Sequence, residues 1–577
     1  MKLRLIIALS CALTCSVFAQ TQDGDTKTKA QHKGSSKSVF PNQIQELKDA
    51  IAAQQQQIQQ LQQQISTRDQ AIQQLQTEVK NIPTPAPPPT PTDYGPDING
   101  LQGEVKDLKA QEVNAAETLT ETQKRIGELE SPTAIHYKGV TITPGGFLAG
   151  ETIWRQRAML ADINTPFNST PFSAAGQARQ TEFYGSGRQS RLSLLVQGKT
   201  GTMNLTGYYE MDFLSAGVTS NNNQSNSYTM RQRQAWAQAA LNNGWTFTAG
   251  QMWSLVTETR KGLDNRTEAL PLQIDPQYLV GMSWDRAYAF RVTKNFHNKL
   301  WAGVSVENSQ AIEVVHGNPT NFLLGGPGNG AGLYNPTANY SSNLAPDFIG
   351  KLHFEPGFGS YELFAVGSIF RERIYPNAPA SAAGAYNSNA AGIGWGANAR
   401  WLFAQKKVET ALHFMGGNGV GRYGAAGLPA LTVGGNGVLH PLRSYQALAE
   451  LDYHAPKFDL YFDGGGEYVG SWSDLLANGK PVGYGAPFFI NTGCGTETVP
   501  TAANGYGPGA LANCTGDTRA IIEGTAGFWY KPYNGPKGRL QMGMQYSYLT
   551  RGTWNGIGGK PNAINNMVFS SFRYYLP

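Results

Sequence analysis

Thr202-Met203-Asn204-Leu205-Thr206-Gly207-Tyr208-Tyr209-Glu210-Met211-Asp212-Phe213-Leu214 is the stretch whose reading decides the fold. Side chains alternate between the two faces of a strand. Met203, Leu205, Gly207, Tyr209, Met211 and Phe213 therefore share one face, and Asn204, Thr206, Tyr208, Glu210 and Asp212 share the other. Carboxylates on one face and Met, Leu and Phe on the other suit a wall between lipid and water. Arg191–Gly198 repeats the pattern, with Leu192, Leu194 and Val196 against Arg191, Ser193 and Gln197. So does Arg539–Leu549, with Leu540, Met542, Met544, Tyr546 and Tyr548 against Arg539, Gln541, Gly543, Gln545 and Ser547. Ile393, Trp395, Ala397, Ala399 and Trp401 likewise oppose Gly394, Gly396, Asn398 and Arg400.

Sixteen such segments can be marked between residues 138 and 576. They are separated alternately by short turns and long segments. The turns include Lys199-Thr200-Gly201, Asn242-Asn243-Gly244, Phe296-His297-Asn298 and Asn534-Gly535-Pro536. Seven short turns and eight long loops are what an antiparallel barrel of about 16 strands needs when both ends of the domain lie on one side of a membrane. The expected fold is thus an all-β transmembrane barrel over 135–577. A secreted β-sandwich is the alternative, and it leaves the short/long alternation unexplained. The chain stops within an amphipathic strand (Val568, Ser570, Phe572, Tyr574, Leu576), the kind of terminus that barrel-assembly machinery reads, although Pro577 stands where an aromatic is usual.

Hydrophobic content is 40%, mean hydropathy is −0.36, and past the first twenty residues no apolar run is long enough for a membrane helix. A barrel hides its lipid-facing stripe in just such an average. Lys2 and Arg4 followed by the apolar Leu5–Val17 and by Val17-Phe18-Ala19 read as a signal peptide over 1–19. The residues before Cys11 and Cys15 fit a lipobox poorly. Export leaves Cys494 and Cys514, twenty residues apart, which most simply form one disulfide in an oxidising compartment.

Residues 20–43 are polar and expected to be flexible. From 44 to 82 the period is seven: Ile44, Ile51, Ile58, Ile65, Ile72 and Val79 hold one core position and Leu47, Leu61, Leu75 and Ile82 the other, interrupted by Gln54 and Arg68. This predicts a coiled coil of about 58 Å at 1.5 Å per residue. A Pro-rich linker covers 83–97, and a second heptad array (Ile98, Leu101, Val105, Leu108, Leu119, Ile126, Leu129) covers 98–131. The heptads lean towards dimers, while the barrel favours three chains.

Several segments together resemble the DcaP-like family of outer-membrane porins. They are Gly207-Tyr208-Tyr209-Glu210-Met211-Asp212-Phe213, Arg231-Gln232-Arg233-Gln234-Ala235, Ala249-Gly250-Gln251-Met252-Trp253-Ser254 and Gly416-Gly417-Asn418-Gly419-Val420-Gly421-Arg422-Tyr423. The resemblance implies a homotrimeric porin with an N-terminal coiled coil in the periplasm, passing small anions such as dicarboxylates. Gln232 and Gln234 stand where apolar residues are usual. That leaves the facing of Arg231 and Arg233 open, and a protomer interface is one explanation.

The barrel region is net basic, which favours either an anion-selective lumen or arginines bound to lipopolysaccharide phosphates. Strand parity points Arg191, Arg291, Lys351, Arg400, Arg519 and Arg539 into the lumen. It does the same for Glu210, Asp212, Glu307, Glu450 and Asp452, so some of the basic residues pair within a structural ladder. Residues 256–280 form the third long loop, whose Arg260, Lys261, Asp264, Arg266 and Glu268 are constriction candidates if the loop folds inward. With Arg231 and Arg233, the expected pore-lining residues are Arg191, Arg260, Lys261, Arg291, Lys351, Arg400, Arg519 and Arg539. No phosphate loop, Gly-x-Ser-x-Gly elbow or zinc-binding helix pair is present, and nothing in the sequence points to an enzyme, a cofactor, a metal site or a nucleic-acid partner. An envelope tether anchored by a barrel is the rival reading, and a hydrolase with its residues spread over strands is a more distant one.

Overall fold

The structure, a computed structural model, describes residues 40–81, 95–129, 134–215, 227–308, 310–317, 322–323, 342–485, 487–497, 499 and 511–577. The chain divides into two units, Met1–Glu128 and Leu129–Pro577. The expected signal peptide, nearly all of the polar segment after it and most of the Pro-rich linker lie outside the described residues.

The first unit holds two helices, α1 (Phe40–Lys80) and α2 (Gly95–Leu129). They run antiparallel beside each other: Gln62 donates to Glu112 at 2.9 Å, Lys109 pairs with Asp69 at 3.4 Å and Arg68 pairs with Glu104. Ile65, Ile72 and Val105 are buried between them. All three occupy heptad core positions, so the apolar seam sets the packing and the exposed ion pairs add little. No helix among the described residues is long and apolar enough to cross a membrane.

The second unit is a closed barrel of sixteen antiparallel strands. In order they are β1 (Val140–Arg155), β2 (Arg191–Lys199), β3 (Met203–Asp212), β4 (Arg231–Leu241), β5 (Trp245–Trp253), β6 (Arg286–Phe296), β7 (Leu300–Glu307) and β8 (Asp347–Phe354). There follow β9 (Ser360–Ile374), β10 (Tyr386–Phe403), β11 (Val408–Asn418), β12 (Arg443–His454), β13 (Phe458–Val469), β14 (Thr518–Gly535), β15 (Gly538–Thr553) and β16 (Asn562–Tyr575). β1 closes the barrel: its first half pairs with β2 and its second half with β16. Beyond the point where β2 stops, a short strand, Glu182–Ser186, takes over as partner of β1. Closure leaves no unpaired edge.

The outward face is the apolar one. Leu363, Ile393, Trp395, Leu412, Phe462, Ile522 and Met544 are exposed there, while their neighbours in sequence point inward. The alternation expected for 203–212, 391–401 and 539–549 is the alternation observed. Some boundaries differ from a reading by alternation alone: the sixth strand begins only at Arg286, although apolar residues recur from Leu279. Leu279, Val280 and Met282 are buried in the barrel interior as part of the preceding loop, so their apolar spacing reflects packing inside the barrel.

Candidate functional site

The third long loop, residues 254–285, is held inside the barrel. It descends from the end of β5 along one wall. Backbone N–H groups of Leu255, Thr259 and Gly262 donate to the carboxylates of Glu307 (2.9 Å), Glu362 (3.0 Å) and Glu355 (2.7 Å). It then crosses the lumen. Ile274 N donates to Gln545 Oε1 at 2.6 Å, Val280 N to Glu523 at 3.0 Å and Gly281 N to Glu467 at 3.0 Å. Trp529 Nε1 donates to Leu272 O at 2.6 Å. A loop in the interior must satisfy its backbone polar groups, and acceptors on the wall from β7 round to β15 do so. Apolar packing reinforces the hold. Leu255, Val256 and Leu263 sit against Trp301, Ile349, Phe364, Met415 and Tyr423, and Ile274, Tyr278, Leu279 and Val280 sit in a larger cluster with Tyr461, Ile521, Trp529 and Phe569.

The two sides of the lumen differ. Inward residues of β8 to β13 are almost all buried, among them Lys351, His353, Glu362, Asn398, Arg400, His413, Glu450 and Asp452. Across from them, inward Gln197 on β2 and Asn204 on β3 are exposed, and Arg191, Ser193 and Thr206 are half-buried. The open part of the lumen borders β2 and β3 and the loop stretch Lys261–Arg266. Lys261, Asp264 and Arg266 are exposed on that stretch, Arg260 keeps 39% of its side chain exposed, and the Arg266 guanidinium lies 4.9 Å from the Tyr208 ring centroid. Arg266 thus reaches β3, the far side from where Arg260 pairs with Glu409 on β11 at 2.5 Å.

The candidate residues fall into three groups. Arg231 forms a two-pronged contact with Asp212 (2.9 and 2.8 Å) while remaining 36% exposed, and Arg191 lies 3.7 Å from Glu210. These two, with Arg260, Lys261 and the half-buried Arg539 over the Tyr575 ring (4.1 Å), keep contact with open space. A second group is buried and paired. Arg233 bonds Glu210 (2.7 Å), Asp212 (2.8 Å) and the Tyr278 hydroxyl (3.2 Å). Arg400 spans Glu258, Glu409 and Glu450. Lys351 bonds Glu362 at 2.7 Å and Thr257 O at 2.8 Å, and Arg291 bonds Asn265 at 2.9 Å. The third group is Arg519 alone. A register shift between Thr518 and Ala520 breaks the parity of β14, and the exposed Arg519 side chain lies over Tyr468 and Trp554 rather than in the lumen. A bulge admits one extra residue and so swaps the face of what lies beyond it.

A second bulge resolves the facing of 231–234. β3 and β4 shift register between Glu210 and Met211, leaving Arg233 as the extra residue. Arg231, Arg233 and Gln234 therefore all face inward, and Gln232 faces outward, where it bonds Gln251 (2.9 Å) and the Tyr288 hydroxyl (3.1 Å). Among the long loops, Cys494 and Cys514 are joined by a disulfide between β13 and β14. Parity missed Glu362, Glu467, Glu523 and Asp463, because their strands carry apolar residues on the inward face as well, where the loops pack.

No family model matches this chain, and no curated protein sequence does. Among solved structures, the outer-membrane channel DcaP of Acinetobacter baumannii superposes at a TM-score of 0.52 with 15% identity, covering 77% of this chain and 100% of that one. The barrel has the fold of the DcaP channel. An anion-selective porin from Comamonas acidovorans (10% identity, 76% and 100% covered, TM-score 0.38) and OprB of Pseudomonas putida (11%, 78% and 96%, 0.40) align more loosely, and nothing rests on them. The DcaP likeness spans a barrel whose apolar face is outward and whose charged face is inward, the arrangement built up above from the strands.

Proposed function

We propose that this protein is an outer-membrane porin through which small hydrophilic anions diffuse, dicarboxylates among them, with the helical unit on the periplasmic side. The observation that carries the reading is the sorting of charge by exposure. Inward acids are mostly buried beneath the loops or paired, whereas the charges bordering the open lumen are mainly basic: Arg191, Arg231, Arg260, Lys261 and Arg266, against exposed Asp264. A pore selects by the charge at its narrow part, and a guanidinium presents a planar fork that matches a carboxylate. The apolar outward face fits a lipid environment. The outward Gln232–Gln251–Tyr288 cluster fits a contact with another copy in a homotrimer, since lipid offers such groups no partners.

The test is charge reversal on the loop. Lys261→Glu with Arg266→Glu alters two exposed side chains. The variant protein in a planar bilayer should lose most of its preference for chloride over potassium, with the unit conductance kept within about a factor of two. An unchanged reversal potential would remove the loop from the selectivity mechanism.

A further inference from the structure

Among the described residues, two carboxylates of the barrel wall lack any hydrogen-bond partner. Asp452 on β12 and Asp463 on β13 are 1% and 7% exposed, and all four of their carboxylate oxygens are buried with no hydrogen-bond partner among the described residues. Both face inward. Asp452 pairs in register with Tyr461 and Asp463 with Glu450, so the two aspartates are diagonal neighbours on adjacent strands. Such positions lie about 7–8 Å apart, with Cβ atoms somewhat closer. Glu409 stands directly across from Asp452 on β11, which adds a third carboxylate to the same patch.

The nearby positive groups are already engaged. Arg400 bonds Glu258, Glu409 and Glu450; Arg260 bonds Glu409; His413 bonds Glu450 at 2.7 Å; His454 and Lys531 both bond Asp459, at 3.0 and 2.9 Å. Local hydroxyls are engaged too. Tyr461 donates to Gln545 at 3.1 Å, and Thr525 lies 3.1 Å from Glu523 and 2.8 Å from Ser547. Glu258, His413 and Glu450 also converge closely enough to hold a metal ion, but the Arg400 guanidinium is the cation of that group. Buried carboxylates with no hydrogen-bond donor are costly, and here two of them lie side by side, with the nearest cations, Arg400 and His454, bonded to other acids.

We infer that Asp452 and Asp463 form a binding site for a hard divalent cation of the calcium type. Their donor set is all oxygen, and the diagonal spacing lets one ion about 2.3–2.6 Å from each carboxylate bridge the two strands. Access is from the short-turn end, where His454 and Arg260 are partly exposed. The bound ion tethers β12 to β13 in the region where Arg400 holds β10 to β11 and β12.

The experiment is calcium titration of the full-length protein, refolded in detergent free of lipopolysaccharide, followed by isothermal calorimetry and by thermal unfolding. The expected result is one calcium ion per chain and an unfolding temperature that rises with calcium. The double variant Asp452→Asn, Asp463→Asn removes both charges at constant shape. It should fold, bind none and unfold at a temperature independent of calcium. Absence of binding by the wild type would overturn the site. Equal binding by the double variant would overturn the assignment to these residues. Should the double variant fail to fold, Asp463→Asn alone serves, with binding weakened at least tenfold expected and unchanged binding contradicting the assignment.

Discussion

Arg400 shows how the interior is held at the scale of one residue. It is 4% exposed and serves three carboxylates from three different elements: Glu258 on the inserted loop, Glu409 on β11 and Glu450 on β12. Removing one partner of a buried ionic group leaves the others uncompensated, at a cost of about 3–5 kcal/mol. Arg400→Ala should lower the stability of the folded barrel by that order, read as a reduced urea midpoint in detergent. A loss under 1 kcal/mol would show that water already solvates the three acids. Asp275 makes a second case, on the inserted loop. It is fully buried, accepts from Gln277 N at 2.9 Å and weakly from Thr165 N at 3.4 Å, and has an unpartnered Oδ2. Burial pushes its carboxyl up to about 6, opposed by the hydrogen bond from Thr165 and by Arg155 nearby. An unfolded aspartate releases its proton near 3.9, so the folded loop binds more protons between that pH and about 6. Its stability is greatest below this window and falls as pH rises through it. Amide exchange around Ile274–Gln277, corrected for intrinsic rate, should be slower at pH 4 than at pH 7, and the difference should vanish in Asp275→Asn. Equal protection at both pH values would contradict this.

At the scale of elements, the strands were legible in the sequence and the inserted loop was only half so. Alternation reads a wall correctly where the inward face is polar, as on β2, β3 and β15. It misleads where a loop covers the inward face. On β9, Phe364, Val366 and Phe370 face inward beside Glu362, so both faces look apolar and Glu362 passes unnoticed. The bulges at Glu210/Met211 and at Thr518/Ala520 are invisible to a count of two, which is why the facing of Arg231 and Arg233 stayed open and Arg519 defied parity. What locks the loop is also local. Gly262 has φ +54°, and a Cβ there would meet the Trp301 ring at 2.5 Å. Gly262→Val adds a branched side chain where the backbone disfavours it and where the ring leaves no room. The variant should free the loop from β7, raise the unit conductance and weaken ion selectivity, while the barrel keeps its heat-modifiable migration. Conductance equal to that of the wild type would show that this contact does not set the constriction.

At the scale of the whole molecule, the count of sixteen strands, the closure and the long-loop and short-turn sides follow from alternation and turn spacing. The heptad positions Ile65, Ile72 and Val105 mark the seam of the helical unit. Net charge proved a blunter guide. The barrel region is basic overall, yet which charges meet open space depends on the loop that buries the rest, and no local pattern encodes that. The central claim is therefore about exposure: the open lumen is bordered by arginine and lysine. The most direct test is the reversal potential of the purified full-length protein in a planar bilayer under a KCl gradient, followed by addition of succinate. The account predicts stepwise openings, a reversal potential on the chloride side and transient blocking by succinate. A reversal potential on the potassium side would contradict it.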